Sequence, residues 1–260
     1  MCATCGCSSD GKHEHHDHGE HGHHRHDHDG HSHGHTHGST ETRRIRLEHE
    51  VLAKNDALAR ENRAWLAGRK VKALNLLGSP GAGKTTLLEA SIRALRGRLP
   101  VSVLEGDQET EHDAARIRAT GARAIQINTG TVCHLDAHVV GHALEELDPP
   151  SGSLVVVENV GNLVCPALFD VGEHAKVVVL SVTEGDDKPL KYPHVFRASQ
   201  VLVVSKVDLL PHVPFDLQQC VANALAVNPA LKVFAVSATT GQGLDHFCAW
   251  LLQPPGNDAA

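Results

Sequence analysis

Short continuous apolar runs recur along most of the chain: Val71 to Leu77, Val101 to Leu104, Ala124 to Ile127, Leu154 to Val157, Val177 to Val182, Val201 to Val204 and Lys232 to Val236. Runs of this length, rich in Val and Leu, predict strands buried on both faces. Between them lie stretches with apolar residues at helical spacing: Thr86 to Leu95, Asp113 to Thr120, Cys133 to Leu147, Phe215 to Val227 and Gly243 to Leu252. The third of these stops at Pro149-Pro150, where proline ends a helix. Strands alternating with helices predict an α/β fold, a mostly parallel sheet covered by helices on both faces with its ligand at the carboxyl ends of the strands.

Ahead of the first run the pattern changes. Arg43 to Ala67 carries Ile45, Leu47, Val51, Leu52, Leu58, Trp65 and Leu66 among many charges, a narrow stripe that predicts one amphipathic helix packed on the surface of the domain. Before it, thirteen of the twenty-five residues from 13 to 37 are His: His13, His15, His16, His18, His21, His23, His24, His26, His28, His31, His33, His35 and His37. A segment with so little to bury is expected to be disordered, and its imidazoles suit weak binding of several divalent ions. The expected organisation is a Cys/His-rich tail over 1–42, a leading helix over 43–67, a nucleotide-binding domain over 68–254 and a short C-terminal tail over 255–260.

Composition narrows the function. A net charge of −7 offers no basic patch and argues against a nucleic-acid partner. No run is long enough to span a membrane, and the N-terminus lacks the apolar core of a signal peptide, so a cytoplasmic location is expected. In a reducing compartment seven Cys, three of them crowded at Cys2, Cys5 and Cys7, point to thiolate metal ligands more than to disulfides.

The chemistry centres on Gly78-Ser79-Pro80-Gly81-Ala82-Gly83-Lys84-Thr85, which fits G-x-x-x-x-G-K-[ST] between a predicted strand and a predicted helix. In such a loop the backbone N–H groups wrap a β-phosphate, the lysine reaches the β- and γ-phosphates and the hydroxyl holds Mg²⁺, with Thr86 continuing into the helix. Ser205-Lys206-Val207-Asp208 follows another buried strand, where Asp208 can accept two N–H bonds from guanine while the Lys206 stem covers the base. Ser237-Ala238-Thr239 follows the last strand. These two pieces resemble the N-K-x-D and S-A-x loops of GTPases, with Ser205 where Asn is usual, and the set favours GTP over ATP.

Hydrolysis needs a cation between the β- and γ-phosphates and an oriented water. Thr85, Asp107 and Glu158 are the candidate Mg²⁺ ligands, and Lys84, Asp107, Glu158 and Gly161 the candidate catalytic set. Glu158-x-x-Gly161 resembles the D-x-x-G switch of GTPases, in which the glycine N–H turns towards the γ-phosphate. Surface loop charge is the alternative for Asp107 and Glu158. Cys165 lies four residues beyond Gly161, and Cys133-His134 sits at another strand end. Two thiolates and an imidazole suit Zn²⁺ or Ni²⁺, with a water or a second copy across a two-fold axis completing the site; two buried cysteines and a helix-capping histidine are the alternative. Cys2, Cys5 and Cys7 with the α-amine can form a compact four-coordinate site of the square-planar kind that Ni²⁺ accepts; an exposed, oxidisable tail is the alternative.

Taken together, the N-terminal C-x-x-C-G-C, the His tract, the phosphate loop, Gly106-Asp107, Cys133-His134, Glu158-Asn159-Val160-Gly161-Asn162-Leu163-Val164-Cys165-Pro166 and Glu184-Gly185-Asp186-Asp187-Lys188-Pro189-Leu190-Lys191-Tyr192-Pro193 resemble the HypB family of nickel-incorporation GTPases. That resemblance implies a SIMIBI-class GTPase that forms a homodimer with nucleotide and helps to load nickel into the large subunit of NiFe hydrogenase with a partner nickel chaperone. It also implies that Cys2, Cys5 and Cys7 form a high-affinity nickel site and Cys133, His134 and Cys165 a nickel or zinc site in the GTPase domain. A urease-type nickel-chaperone GTPase and a nickel store with a nucleotide-sensing domain are the competing readings. The Cys triple and Cys165 weigh against the first.

Overall fold

The computed structural model describes residues 37–107 and 111–254, with side chains from residue 49 onward. Cys2, Cys5, Cys7, the histidines from His13 to His35 and the C-terminal segment 255–260 lie outside the described residues.

Seven parallel strands form one sheet: β1 (Lys72–Gly78), β2 (Val101–Asp107), β3 (Arg123–Asn128), β4 (Leu154–Glu158), β5 (Ala175–Ser181), β6 (Val201–Ser205) and β7 (Lys232–Val236), in the order β3-β2-β4-β1-β5-β6-β7. The expected fold class holds. Each apolar run is split by the two-residue period of a strand, so alternate side chains serve opposite faces. Leu74, Leu76, Val103, Val156, Val177, Val179 and Val203 pack with Leu87, Ile92, Phe247 and Trp250, which belong to α2 (Lys84–Leu95) and α9 (Leu244–Leu251). Opposite them, Ala73, Leu104, Val155 and Val157 pack against α1 (His37–Gly68) and α4 (Ala137–Leu147), while Leu77, Val178, Leu180, Leu202 and Val204 pack with Phe196 of α7 (Pro193–Ala198) and Cys220 of α8 (Leu217–Val227). The remaining helices are α3 (His112–Ala119), α5 (Cys165–Leu168), α6 (Lys188–Lys191) and a 3-10 turn over Val207–His212.

The structure differs from the sequence pattern in two places that matter for the site. The leading helix starts at His37, six residues before the expected Arg43, and its contact face takes in only part of the apolar stripe, Leu66 with Trp65, and adds polar residues. Asn55, Ala59, Asn62 and Leu66 are buried, whereas Val51 is 56% exposed. The two asparagines satisfy backbone groups that the core would otherwise orphan: Asn55 Nδ2 donates to Asp170 O, Asn62 Nδ2 donates to Ala137 O and Val171 O, and Asn55 Oδ1 accepts from Ala137 N. Burying polar groups with partners in place is what anchors this weakly amphipathic helix to α4. The second difference is that the stretch expected to be helical from Cys133 begins its helix only at Ala137, because Asp136 caps it by accepting from Val139 N. Cys133 and His134 therefore stay in a loop.

Candidate functional site

The phosphate loop leaves β1 and enters α2 at the carboxyl edge of the sheet. Gly83 stands at φ 91°, a left-handed conformation that any Cβ would strain, and this turn directs the first N–H groups of α2 out of the edge. Lys84, 7% exposed, folds back so that Nζ donates to Gly78 O at 3.4 Å and Ser79 O at 3.3 Å. Thr85 Oγ1 donates to Glu158 Oε1 at 2.8 Å, which joins the loop to the end of β4. A cleft of about 500 Å³ opens above, lined by Pro80, Gly81, Gly83 to Thr86, Glu105 to Asp107, Asp113, Arg116, Glu158 to Gly161 and Lys206. An adjoining cleft of about 290 Å³ is walled by Thr86, Ser205, Lys206, Asp208, Ala238 and Thr239. Ser205 Oγ donates to Ala82 O at 2.6 Å and Lys206 Nζ to Gly81 O at 2.7 Å, so the β6 end is tied to the phosphate loop. Ser205 thus supports the loop by its hydroxyl. Ser237 is fully buried below the second cleft, where its hydroxyl accepts from Thr240 N, so it holds the loop that presents Ala238.

Two carboxylates meet at the floor of the larger cleft. Glu105 and Glu158 are register partners on β2 and β4 and are 2% and 3% exposed. Burial, then the neighbouring Glu158 charge, pushes the Glu105 carboxyl up to about 10, so at neutral pH it holds the proton that the pair shares. Burial raises Glu158 too, against the pull of Lys84 and of the Thr85 hydroxyl. Each keeps one buried oxygen, Oε2, without a protein partner. A hydroxyl, a carboxylate with an unpartnered buried oxygen and Asp107 at the end of β2 form an all-oxygen donor set that fits Mg²⁺. Sequence reasoning missed Glu105, which lies inside an apolar strand two residues before Asp107, and also Asp113 and Arg116, which pair at 2.9 Å on the cleft wall. A glutamate in a strand core was the available signal for the first; the other two look like ordinary helix charges.

The third group lies beyond β4. Cys133, His134 and Cys165 come together with their ligand atoms all within 4.8 Å of one another; Cys165 is buried and the other two are half-buried. Cys133 Sγ is 3.9 Å from His134 Nδ1, and the imidazole stacks on Phe169 at 3.9 Å between ring centres. Burial lowers the His134 pKa, with Asp136 pulling the other way, which favours the neutral imidazole that a metal requires. Soft thiolates and an imidazole suit Ni²⁺ or Zn²⁺ and leave room for further ligands.

The cleft and the cluster share a wall. The segment from Glu158 to Cys165 crosses the phosphate loop, with Asn162 bridged to Gly78. A Cβ on Gly161 would meet Pro80 at 2.9 Å, so only glycine lets the segment lie this close to the loop. Asn159, 1% exposed, donates to Asn75 Oδ1 at 3.2 Å and accepts from Leu135 N at 3.1 Å, gripping the residue that follows His134. Leu135 also rests over the end of β2, where a Cβ on Gly106 would meet its side chain at 2.8 Å.

Comparison with known proteins agrees with this architecture. Residues 72–235 match the CobW/HypB/UreG nucleotide-binding domain model. The chain is 59% identical over 214 residues to the hydrogenase maturation factor HypB of Rhizobium leguminosarum bv. viciae, covering 82% of this chain and 72% of that protein. Among solved structures, HypB from Archaeoglobus fulgidus superposes with a TM-score of 0.72 at 38% identity, over 78% of this chain and 100% of that one. HypB from Helicobacter pylori in complex with nickel gives a TM-score of 0.72 at 36% identity, over 76% and 94%. This nucleotide-binding α/β chain, with its phosphate loop and its thiolate and imidazole cluster, belongs to the HypB family of hydrogenase maturation factors.

Proposed function

We propose that the chain hydrolyses GTP and uses its nucleotide state to hold and release nickel destined for the large subunit of NiFe hydrogenase, acting in the cytoplasm as a nucleotide- or metal-dependent homodimer with a partner nickel chaperone. The observation that carries this reading is the shared wall: one segment runs from Glu158 past the phosphate loop to Cys165 and grips the loop of His134 through Asn159.

In this reading the N–H groups of Ser79 and of Gly81 to Thr86 wrap the phosphates, Pro80 having none to give, and Lys84 neutralises the β- and γ-oxygens. Asp208 accepts from the guanine edge, and Lys206 and Ala238 flank the base. Thr85, Asp107 and Glu158 would hold Mg²⁺, which would supply positive charge against the phosphates. Protonated Glu105 donates to Glu158 and keeps a second negative charge out of the floor. The Gly161 N–H turns to the γ-phosphate, and the movement reaches Cys165 along the backbone and His134 through Asn159. Nickel is the cargo, taken by Cys133, His134 and Cys165, with zinc as the competing ion; Cys2, Cys5 and Cys7 form a tighter nickel site and the His tract a dilute reservoir.

Transfer of radioactive nickel from the full chain to apo large subunit, in GTP and in GDP with the partner chaperone present, tests this. Transfer that depends on hydrolysable GTP and fails with Cys165→Ser supports delivery. Equal transfer in both nucleotides removes it.

A further inference from the structure

One pair of metal-binding side chains lies outside the cluster. His138 and His142 are both exposed on α4, four residues apart, with ring centroids 4.6 Å apart at 84°. We propose that these two imidazoles form a separate bidentate site for a divalent ion of the nickel, copper or zinc type, an outer station beside the Cys133, His134 and Cys165 cluster. The site itself needs only the side chains; its place in nickel handling rests on the function proposed above.

Positions i and i+4 stack on one face of a helix with Cβ atoms about 5–6 Å apart, so two imidazoles there can close a chelate ring on one ion without distorting the backbone. Exposure leaves both rings free to rotate from an edge contact into a shared coordination sphere, and imidazole is the ligand this class of ion prefers over carboxylate. Glu145 and Glu146, both exposed, lie one turn beyond His142 and add negative charge to the same stretch of helix.

Two connections make a station of the pair. His134, His138 and His142 follow one another at four-residue intervals, from the cluster onto the first two turns of α4. The His-rich segment joins the described fold at His37, the first residue of α1, and further along the same helix Asn55 and Asn62 hold the first turn of α4 at Ala137. A chain tethered at that helix delivers its imidazoles to His138 and His142 at raised effective concentration, so an ion can pass by ligand exchange without release to solvent.

The test uses the full chain and a readout resolved by residue: diethylpyrocarbonate modification of histidines and iodoacetamide modification of Cys133, both located by mass spectrometry, at increasing Ni²⁺. The proposal expects His138 and His142 to become protected together, at one nickel concentration. In His138→Gln, half-protection of His142 should need at least about tenfold more nickel, while Cys133 protection at equilibrium stays as in the wild type. Glutamine at these exposed positions leaves the core intact. Unchanged reactivity of both histidines in nickel, or protection of His142 that survives His138→Gln, overturns the site. Joint protection of the two histidines with Cys133 equally reactive at every nickel concentration keeps the site and removes the nickel cluster of the delivery reading.

Discussion

The nucleotide cleft and the cysteine and histidine cluster share one wall at the carboxyl edge of the sheet, yet they are made of different material. The cleft is built mainly from backbone: a glycine turn, the first N–H groups of α2 and carbonyls fixed by Lys84, Ser205 and Lys206. The cluster is three side chains, two from the loop before α4 and one from the first residue of α5 more than thirty residues on, held by one aromatic stack and by the grip of Asn159 on Leu135. A backbone cradle is preorganised and keeps its shape when its ligand leaves. A site carried on a loop and a short helix follows whatever moves those segments, which is what metal affinity set by nucleotide state would require.

The largest effect should come from breaking the cleft alone. Lys84→Ala removes the cation on the β- and γ-oxygens and should lower single-turnover GTP hydrolysis by at least about a thousandfold. Nickel binding at the cluster in nucleotide-free protein should be unaltered, because Lys84 folds back onto the carbonyls of Gly78 and Ser79 in the phosphate loop; an equal loss of metal affinity would erase the distinction between the two regions.

A smaller effect isolates the base. Asp208→Asn should weaken GTP by about tenfold to a hundredfold and move the preference towards xanthine nucleotides, whose edge offers an acceptor in place of a donor. Competition binding of GTP against XTP reads this, and an unmoved preference would mean that another group selects the base.

The shared wall can be cut at Asn159. Asn159→Ala leaves Leu135 N without its partner, at a stability cost of about 1–3 kcal/mol read by chemical denaturation. It should also leave metal affinity the same in GTP and GDP. Retention of a nucleotide-dependent difference in this variant would place the coupling elsewhere.

The remaining effect concerns the floor. Glu105 has a folded-state pKa near 10 against an ordinary value of 4.5, so folding takes up a proton. Stability of the nucleotide-free protein should therefore fall as pH rises from about 4.5 towards 10. Glu105→Gln carries no such linkage. It should match the wild type near pH 5, exceed it at pH 8 and show a flatter profile in thermal melts across that range. Parallel profiles would mean that Glu105 is ionised in the fold.

The same contrast explains what was legible in the sequence. The sheet could be read because buried parallel strands leave continuous apolar runs, and the phosphate loop because backbone cradles demand glycine at fixed spacing. The spacing of Cys133, His134 and Cys165 says nothing about distance, since the topology that joins β3 and β4 through β2 is what brings their loops together. Glu105 was hidden by its apolar neighbours on β2. Asn55 and Asn62 were hidden by the assumption that a helix docks with its apolar stripe, when here the backbone at the start of α4 needed polar partners. Asp136 as a cap would have placed Cys133 and His134 in a loop, had the carboxylate three residues before Val139 been weighed as a helix start.

The central claim is that nucleotide state sets metal affinity at Cys133, His134 and Cys165. The direct measurement is titration of Ni²⁺ into full-length protein with Cys2, Cys5 and Cys7 changed to Ser, loaded with GDP or with a non-hydrolysable GTP analogue, followed by thiolate-to-nickel charge-transfer absorption, which the His tract does not produce. The account predicts two isotherms whose midpoints differ by about fivefold or more, with nickel shifting the relative affinity for the two nucleotides by the same factor, since linkage is reciprocal. Superimposable isotherms would contradict it.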